Sequence, residues 1–243
     1  MTGRRGIGLL GGTFDPIHLG HLSAAAAARE ALGLHHVLLL PSSVPPHRPQ
    51  PLASMPHRFG MVALAVDEQE GILGSDLELT SAGPSYTSAT LHALHALGHA
   101  PSQLFFITGA DAFAEIATWR DYPGFLDDAH FVVVSRGRWD ATSVRGQLPS
   151  LAPRMIDVSS ADRQPPASGR GTHIYLVNRP TPDVSSTAIR ARCAEGRPLT
   201  GLVPDAVARH IHRHGLYRGA VPRSSSPSGH GPAASQLHEQ EHC

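Results

Sequence analysis

Two histidines, His18 and His21, stand three residues apart in GGTFDPIHLGHL, at the threshold of an alanine-rich run. With a helix beginning near Leu19, His18 sits at its N-terminus and His21 one turn in, so the two side chains share a face. The first turn of a helix presents N–H groups that lack intrahelical partners and carries the positive end of the helix dipole, which together hold an anion. Gly20 has no side chain to obstruct an approaching ligand oxygen, Gly11 and Gly12 let the preceding backbone turn tightly and present N–H groups, and Thr13 adds a hydroxyl. These residue types describe a phosphate cradle with two imidazole donors. A packed histidine pair at a helix start fits the same spacing. Zinc fits it less well, because helical zinc pairs come four apart as H-E-x-x-H, with a glutamate this stretch does not contain.

The elements that must position the pair follow from periodicity. Ile7–Leu10, Val37–Leu40, Gly71–Leu79, Leu104–Thr108, Phe131–Ser135 and Ile174–Val177 read as strands, most of them continuous apolar runs that suit a parallel sheet covered on both faces. Helical patterns fall at 19–32, 56–69, 85–98 and 111–117. A helix after Asp183 runs through SSTAIRARCAEG to Gly196, and another runs from Pro204 to Gly215. The alternation predicts an α/β fold, a doubly wound parallel sheet with C-terminal helices. Ligands of such sheets bind at the carboxyl ends of the strands, where residues 6–22 lie. Gly6, Gly8 and Gly11 match G-x-G-x-x-G, but they lie inside the run available for the first strand instead of following it, which argues against a dinucleotide-binding turn. Residues 1–221 read as one domain. Residues 222–243 read as a disordered tail and 159–171 as a surface loop, both lacking apolar periodicity.

Bulk composition narrows the partners. The 243 residues carry 20 Lys plus Arg and 20 Asp plus Glu, so no global field recruits nucleic acid or an acidic membrane, and an anion site must be built locally. Cys193 and Cys243 form neither a disulfide framework nor a zinc spacing. No apolar run approaches the ~18 residues of a membrane span, and the N-terminus lacks a signal-peptide core, so a cytoplasmic location is expected. There are 17 histidines. Most are scattered, including His92, His95, His99 and the HIHRH run at 210–214, and read as solvated or packed imidazoles.

GGTFDPIHLGH resembles the signature of the HxGH nucleotidyltransferase superfamily. PSSVPPHRPQP at 41–51, GPSYT at 83–87, FITGADAF at 106–113 with TW at 118–119, SSTAIR at 185–190 and the closing GLVPDAVARHIHRHGLY narrow the resemblance to the bacterial nicotinate-nucleotide adenylyltransferase family, across nearly all of residues 6–218. The resemblance implies a Rossmann-like nucleotidyltransferase fold and transfer of the adenylyl group of ATP to nicotinate mononucleotide, giving deamido-NAD and pyrophosphate in NAD biosynthesis. The nucleophile of that reaction is already a phosphate anion. The enzyme has only to align two anions and spread charge on the α-phosphorus, which accounts for a chain without a nucleophilic triad.

By the same resemblance, His18, His21 and Arg190 are the catalytic residues, with His21 serving the transition state. Gly11, Thr13 and Phe14 line the ATP. Ser185, Ser186 and Thr187 open a second helix as another phosphate nest, with Arg190 four residues past Ser186. Arg48 sits near the reacting phosphates, and Gly109 and Asp111 meet the adenosine ribose. Tyr86, Thr87 and Trp119 surround the pyridine, with Trp119 stacking on it and backbone N–H groups near Thr87 and Trp119 receiving the carboxylate. Mg²⁺ enters with ATP, bound mainly through substrate phosphates, so no protein metal ligand is assigned. A homo-oligomer is compatible with all of this. LTSAGPSYT lacks the basic residue that relatives often carry shortly before PSYT. Competing readings are the same transfer to nicotinamide mononucleotide or phosphopantetheine, a non-catalytic nucleotide sensor, and a zinc hydrolase built from scattered histidines.

Overall fold

The computed structural model describes residues 6–44, 50–79, 83–137, 139–158 and 171–219. Arg48, most of the 159–171 loop and the 222–243 tail therefore lie outside the described residues. Seven strands form one sheet: β1 (Ile7–Gly12), β2 (His36–Pro41), β3 (Ile72–Gly74), β4 (Leu104–Gly109), β5 (His130–Val134), β6 (Met155–Asp157) and β7 (Ile174–Val177). Their order is β3-β2-β1-β4-β5-β7-β6, and every pairing is parallel. The expected doubly wound parallel sheet is thus present. The strand order reverses direction between β1 and β4, and a sheet of this kind opens its ligand crevice at that switch point.

Side chains alternate across the sheet and build two cores. Leu10, Val37, Leu39, Phe105, Ile107, Val132 and Tyr175 face α1 (Leu19–Leu32), α2 (Met55–Val66), α6 (Ser186–Ala194) and α7 (Asp205–Arg213). Leu9, Leu40, Phe106, Phe131, Val133 and Leu176 face the other way, onto α3 (Thr87–Ala96), α4 (Ala110–Phe113), α5 (Val144–Gln147) and nearby 3₁₀ turns. Both faces being covered explains why the strand sequences are continuous apolar runs. The alanine run of α1 serves close approach: Ala25 and Ala28 are fully buried against the central strands. The glycines that mimic a dinucleotide turn serve packing as well. A Cβ on Gly8 would come within 2.8 Å of Val37 and 3.0 Å of Ile107, and one on Gly6 would collide with the Phe105 ring.

Several expected elements change in extent. The 71–79 strand shrinks to Ile72–Gly74, and the 111–117 helix divides into α4 and a 3₁₀ turn at Ile116–Thr118. The edge strand β6 was not expected, since three residues beside Pro153 carry too little periodicity to read. Among the described residues no helix is long and apolar enough to cross a membrane.

Candidate active site

The histidine pair adopts the expected placement. His18 is the N-cap of α1 in extended conformation, and His21 lies in its first turn. The two rings stack with centroids 3.6 Å apart and 20° between planes. The His18 backbone N–H donates to His21 Nδ1 at 3.3 Å, so the neutral form of His21 carries its proton on Nε2. A Cβ on Gly20 would press on the His18 ring at 3.1 Å and on the Pro182 carbonyl at 3.2 Å, so the glycine also helps to seat the histidine.

His18 is only 1 % exposed, and neither ring nitrogen has a hydrogen-bond partner among the described residues. Burial first, and the nearby Arg136 charge second, push its pKa from 6.5 down to about 3. The ring is therefore neutral at physiological pH, able to donate one N–H but contributing no positive charge. His130 behaves alike: burial, then His173 and Arg154, lower it from 6.5 to about 4. Its Nδ1 accepts the His173 backbone N–H at 2.9 Å, an arrangement that a proton on that nitrogen would break. The unfolded chain takes up these two protons below pH 6.5 and the folded chain does not. Stability contributed by the neutral rings is complete above pH 6.5 and declines as pH falls toward 4 and then 3. Urea unfolding between about pH 6 and 5 is expected to show a slope of up to about 1.4 kcal/mol per pH unit from each ring. His18→Gln and His130→Gln should each flatten the curve; unchanged slopes would mean that the rings are already protonated in the fold.

The turn between β1 and α1 differs from the expectation in its details. Neither Gly11 nor Gly12 takes a positive φ; that conformation falls on Phe14, at φ 47°. Gly12 instead makes room for the Phe14 ring, which a Cβ would meet at 3.0 Å. The Phe14 side chain is 1 % exposed and meets His21 edge-on at 4.9 Å. It supports the cradle from beneath, so only its backbone can line a ligand. Below it lies a buried network that sequence reading missed. The Asp15 carboxylate accepts from Leu52 N–H (2.8 Å), Ala53 N–H (3.0 Å) and the Tyr217 hydroxyl (2.8 Å). Arg58, also buried, donates to the carbonyls of Thr13 (2.8 Å) and Ser42 (2.8 Å). Burial lowers the Arg58 pKa while the Asp15 charge opposes the shift. Both residues hold the turn that carries Thr13 and Phe14.

The second helix mouth adjoins the first. Ser185 is the N-cap of α6 and accepts the Ala188 N–H through its Oγ. Ser186 Oγ donates to the Pro16 carbonyl at 2.9 Å. Arg190 Nη1 donates to the Asp15 carbonyl at 2.8 Å, and Nη2 reaches the Thr187 hydroxyl at 3.2 Å. Chain separations of 170 and 175 residues are closed by these two bonds. Two helix N-termini and their hydroxyl, imidazole and guanidinium groups thus flank one turn.

Gly109 ends β4 and Asp111 follows in α4. Asp111 does not cap that helix: its Oδ1 is buried without a hydrogen-bond partner, and its Oδ2 lies 3.7 Å from Arg136. A Cβ on Gly109 would sit 2.5 Å from Asp111 Oδ1, so the glycine makes space for this carboxylate. Asp111, Arg136, Gly137, Trp139 and Asp183 line a cavity of about 330 Å³. Arg136 went unnoticed in the sequence, although its position immediately past the FVVVS strand marks it by the rule of carboxyl ends.

Tyr86 and Trp119 are linked through their neighbours. Tyr86 is the N-cap of α3 and its side chain makes no cap bond to the first-turn N–H groups. Ser88 Oγ donates to Asp121 at 2.7 Å, and the Arg120 guanidinium lies 4.6 Å over the Tyr86 ring. The Trp119 ring lies near-parallel to Phe125 at 6.2 Å and meets Phe106 edge-on, while Phe106 lies beneath Gly11. The Trp119 N–H donates to the Ile116 carbonyl and closes the 3₁₀ turn. That particular N–H is engaged within the turn, so a carboxylate received near Trp119 would have to use a neighbouring backbone N–H.

A parallel sheet with this crevice, and two helix N-termini meeting at one turn beside a stacked imidazole pair, is the architecture of a nucleotidyltransferase. The Cytidylyltransferase-like family model matches residues 9–192. A chain of Desulfatibacillum aliphaticivorans named probable nicotinate-nucleotide adenylyltransferase is 38 % identical over 221 residues, covering 87 % of this chain and 99 % of that one. One of the same name from Aeromonas hydrophila is 40 % identical over 215 residues, covering 88 % and 98 %. Among solved structures, Plasmodium falciparum nicotinic acid mononucleotide adenylyltransferase complexed with NaAD aligns with a TM-score of 0.65 at 15 % identity, covering 88 % of this chain and 97 % of that one. The chain belongs to the nicotinate-nucleotide adenylyltransferase family.

Proposed function

We propose that the chain transfers the adenylyl group of ATP to nicotinate mononucleotide, forming deamido-NAD and pyrophosphate. The observation that carries this is the junction of the α1 and α6 N-termini through Ser186–Pro16 and Arg190–Asp15. It makes one mouth able to span a triphosphate. A phosphate oxygen of the mononucleotide attacks the α-phosphorus, and the bond to the β-phosphate bridging oxygen breaks. His21 donates to the charge that develops there. Arg190, Ser186 and Thr187 hold the departing pyrophosphate. His18 acts as a neutral donor, and Arg136 supplies the positive charge beside it. Arg48 is assigned to the reacting phosphates and Asp111 to the ribose.

Nucleotidyltransferases take a divalent metal with ATP; here Mg²⁺ is proposed. The Asp183 carboxylate at the cavity offers oxygen ligands of the kind a hard cation takes. It would complete a shell supplied mainly by phosphates, and the cation would neutralise charge on the leaving group. Thr87 and the first turn of α3 are proposed to receive the nicotinate carboxylate. An amide in that place would pair an NH₂ donor with N–H donors.

Pyrophosphate release with ATP and either nicotinate or nicotinamide mononucleotide tests chemistry and acceptor together. Faster turnover on nicotinate is expected, and preference for the amide would overturn the acceptor assignment. Arg190→Ala is expected to raise KM for ATP about 10–100-fold, the worth of a charged hydrogen bond, with a smaller change for the mononucleotide. The reverse pattern would place Arg190 on the acceptor side.

A further inference from the structure

Away from this mouth, α2 and α7 bring three histidines together. His57 lies in the first turn of α2, His210 in the last turn of α7, and His214 caps it. Each offers a ligand atom, and the three atoms all lie within 4.8 Å of one another. His57 Nδ1 and His210 Nε2 are 3.1 Å apart, while the His214 ring lies 4.8 Å from the His57 ring and 4.5 Å from that of His210. We propose that His57, His210 and His214 bind a divalent transition-metal cation of the zinc type, with water in the fourth position.

The spacing supports this chemically. His210 and His214 are four apart and share one face of the helix. Tetrahedral zinc with bonds of about 2.0–2.1 Å sets its nitrogen ligands about 3.4 Å apart, so small ring rotations close the trio on an ion. His214 is exposed and leaves the fourth position to solvent. Burial, His214, His57 and Arg213 lower the His210 pKa, favouring the neutral imidazole that a metal requires. Basic residues at the end of α7 would by themselves be explained by the helix dipole. That explanation does not reach His57, which sits at the opposite, N-terminal end of its own helix, α2.

The location gives the ion a structural task. His57 precedes Arg58, which holds the Thr13 carbonyl, and His214 lies three residues before Tyr217, which holds Asp15. An ion between them clips together the two elements that support the floor of the phosphate mouth.

Full-length protein stripped with chelator and titrated with zinc chloride tests the site. One equivalent should bind, and the melting temperature should rise by roughly 5–10 °C at free zinc about 100-fold above Kd. Cobalt(II) should give the visible absorption of a tetrahedral complex. His214→Gln, at an exposed position, and His210→Ala should each weaken binding at least about tenfold. His238, His242 and Cys243 near the C-terminus could also bind metal, so His238→Ala/His242→Ala/Cys243→Ser is the control and should retain both signals. Absence of bound zinc in the unaltered protein, equal affinity in His214→Gln, or loss only in the C-terminal variant would overturn the proposal.

Discussion

His21→Ala is expected to lower kcat by roughly 10²–10³-fold, the effect of removing one donor aimed at charge that develops in a transition state. The His18 N–H donates to Nδ1 of this ring, which places the proton of the neutral ring on Nε2. The interaction strengthens as charge moves onto the phosphate oxygens, so ATP affinity should fall much less than turnover. His21→Gln retains a donor and should recover part of the rate. Steady-state kinetics on both variants, with thermal unfolding to confirm an intact fold, makes the comparison. Unchanged kcat in His21→Ala would remove the residue from the chemistry. His18→Ala is a poorer probe, because it also empties a buried position stacked against His21.

Arg58→Ala should cost about 3–5 kcal/mol of folding stability, the range for deleting one partner of a buried charge network. Arg58 is 2 % exposed, and its guanidinium donates to the Thr13 and Ser42 carbonyls and faces Asp15. Its loss leaves the Thr13 and Ser42 carbonyls without this donor and Asp15 without its countercharge. For a domain of this size that corresponds to roughly 6–20 °C in Tm. KM for ATP should rise as well, since Thr13 loses its clamp. Chemical denaturation gives the stability and a double-mutant cycle with Asp15→Asn gives the coupling. A loss below about 1 kcal/mol would show that water replaces the arginine easily.

Legibility in the sequence followed the range of the interactions. Strands β1, β2, β4, β5 and β7 and helices α1, α2, α3, α6 and α7 were readable, because apolar runs, caps and glycine stops are local signals. The His18–His21 pair was readable for the same reason, its geometry being set within a single helical turn. Short β3, β6 and α4 were misjudged because their extent is decided by sheet edges and packing. Gly12 and Gly20 also make room for Phe14 and His18, neighbours that the sequence does not place. The Trp119 N–H closes a local turn, a bond that only the folded backbone reveals.

By itself the sequence determined the family, the strand and helix alternation, and the residue types at both helix mouths, since each depends on neighbours a few positions away. Only the tertiary structure decided that Ser186 and Arg190 close onto Pro16 and Asp15, that Arg58 and Tyr217 brace the turn from below, and that His57 meets His210 and His214. Those contacts join residues up to 202 positions apart. Nothing in local periodicity encodes them, because they arise from how the sheet stacks its helices and from the cost of leaving buried polar groups unpaired.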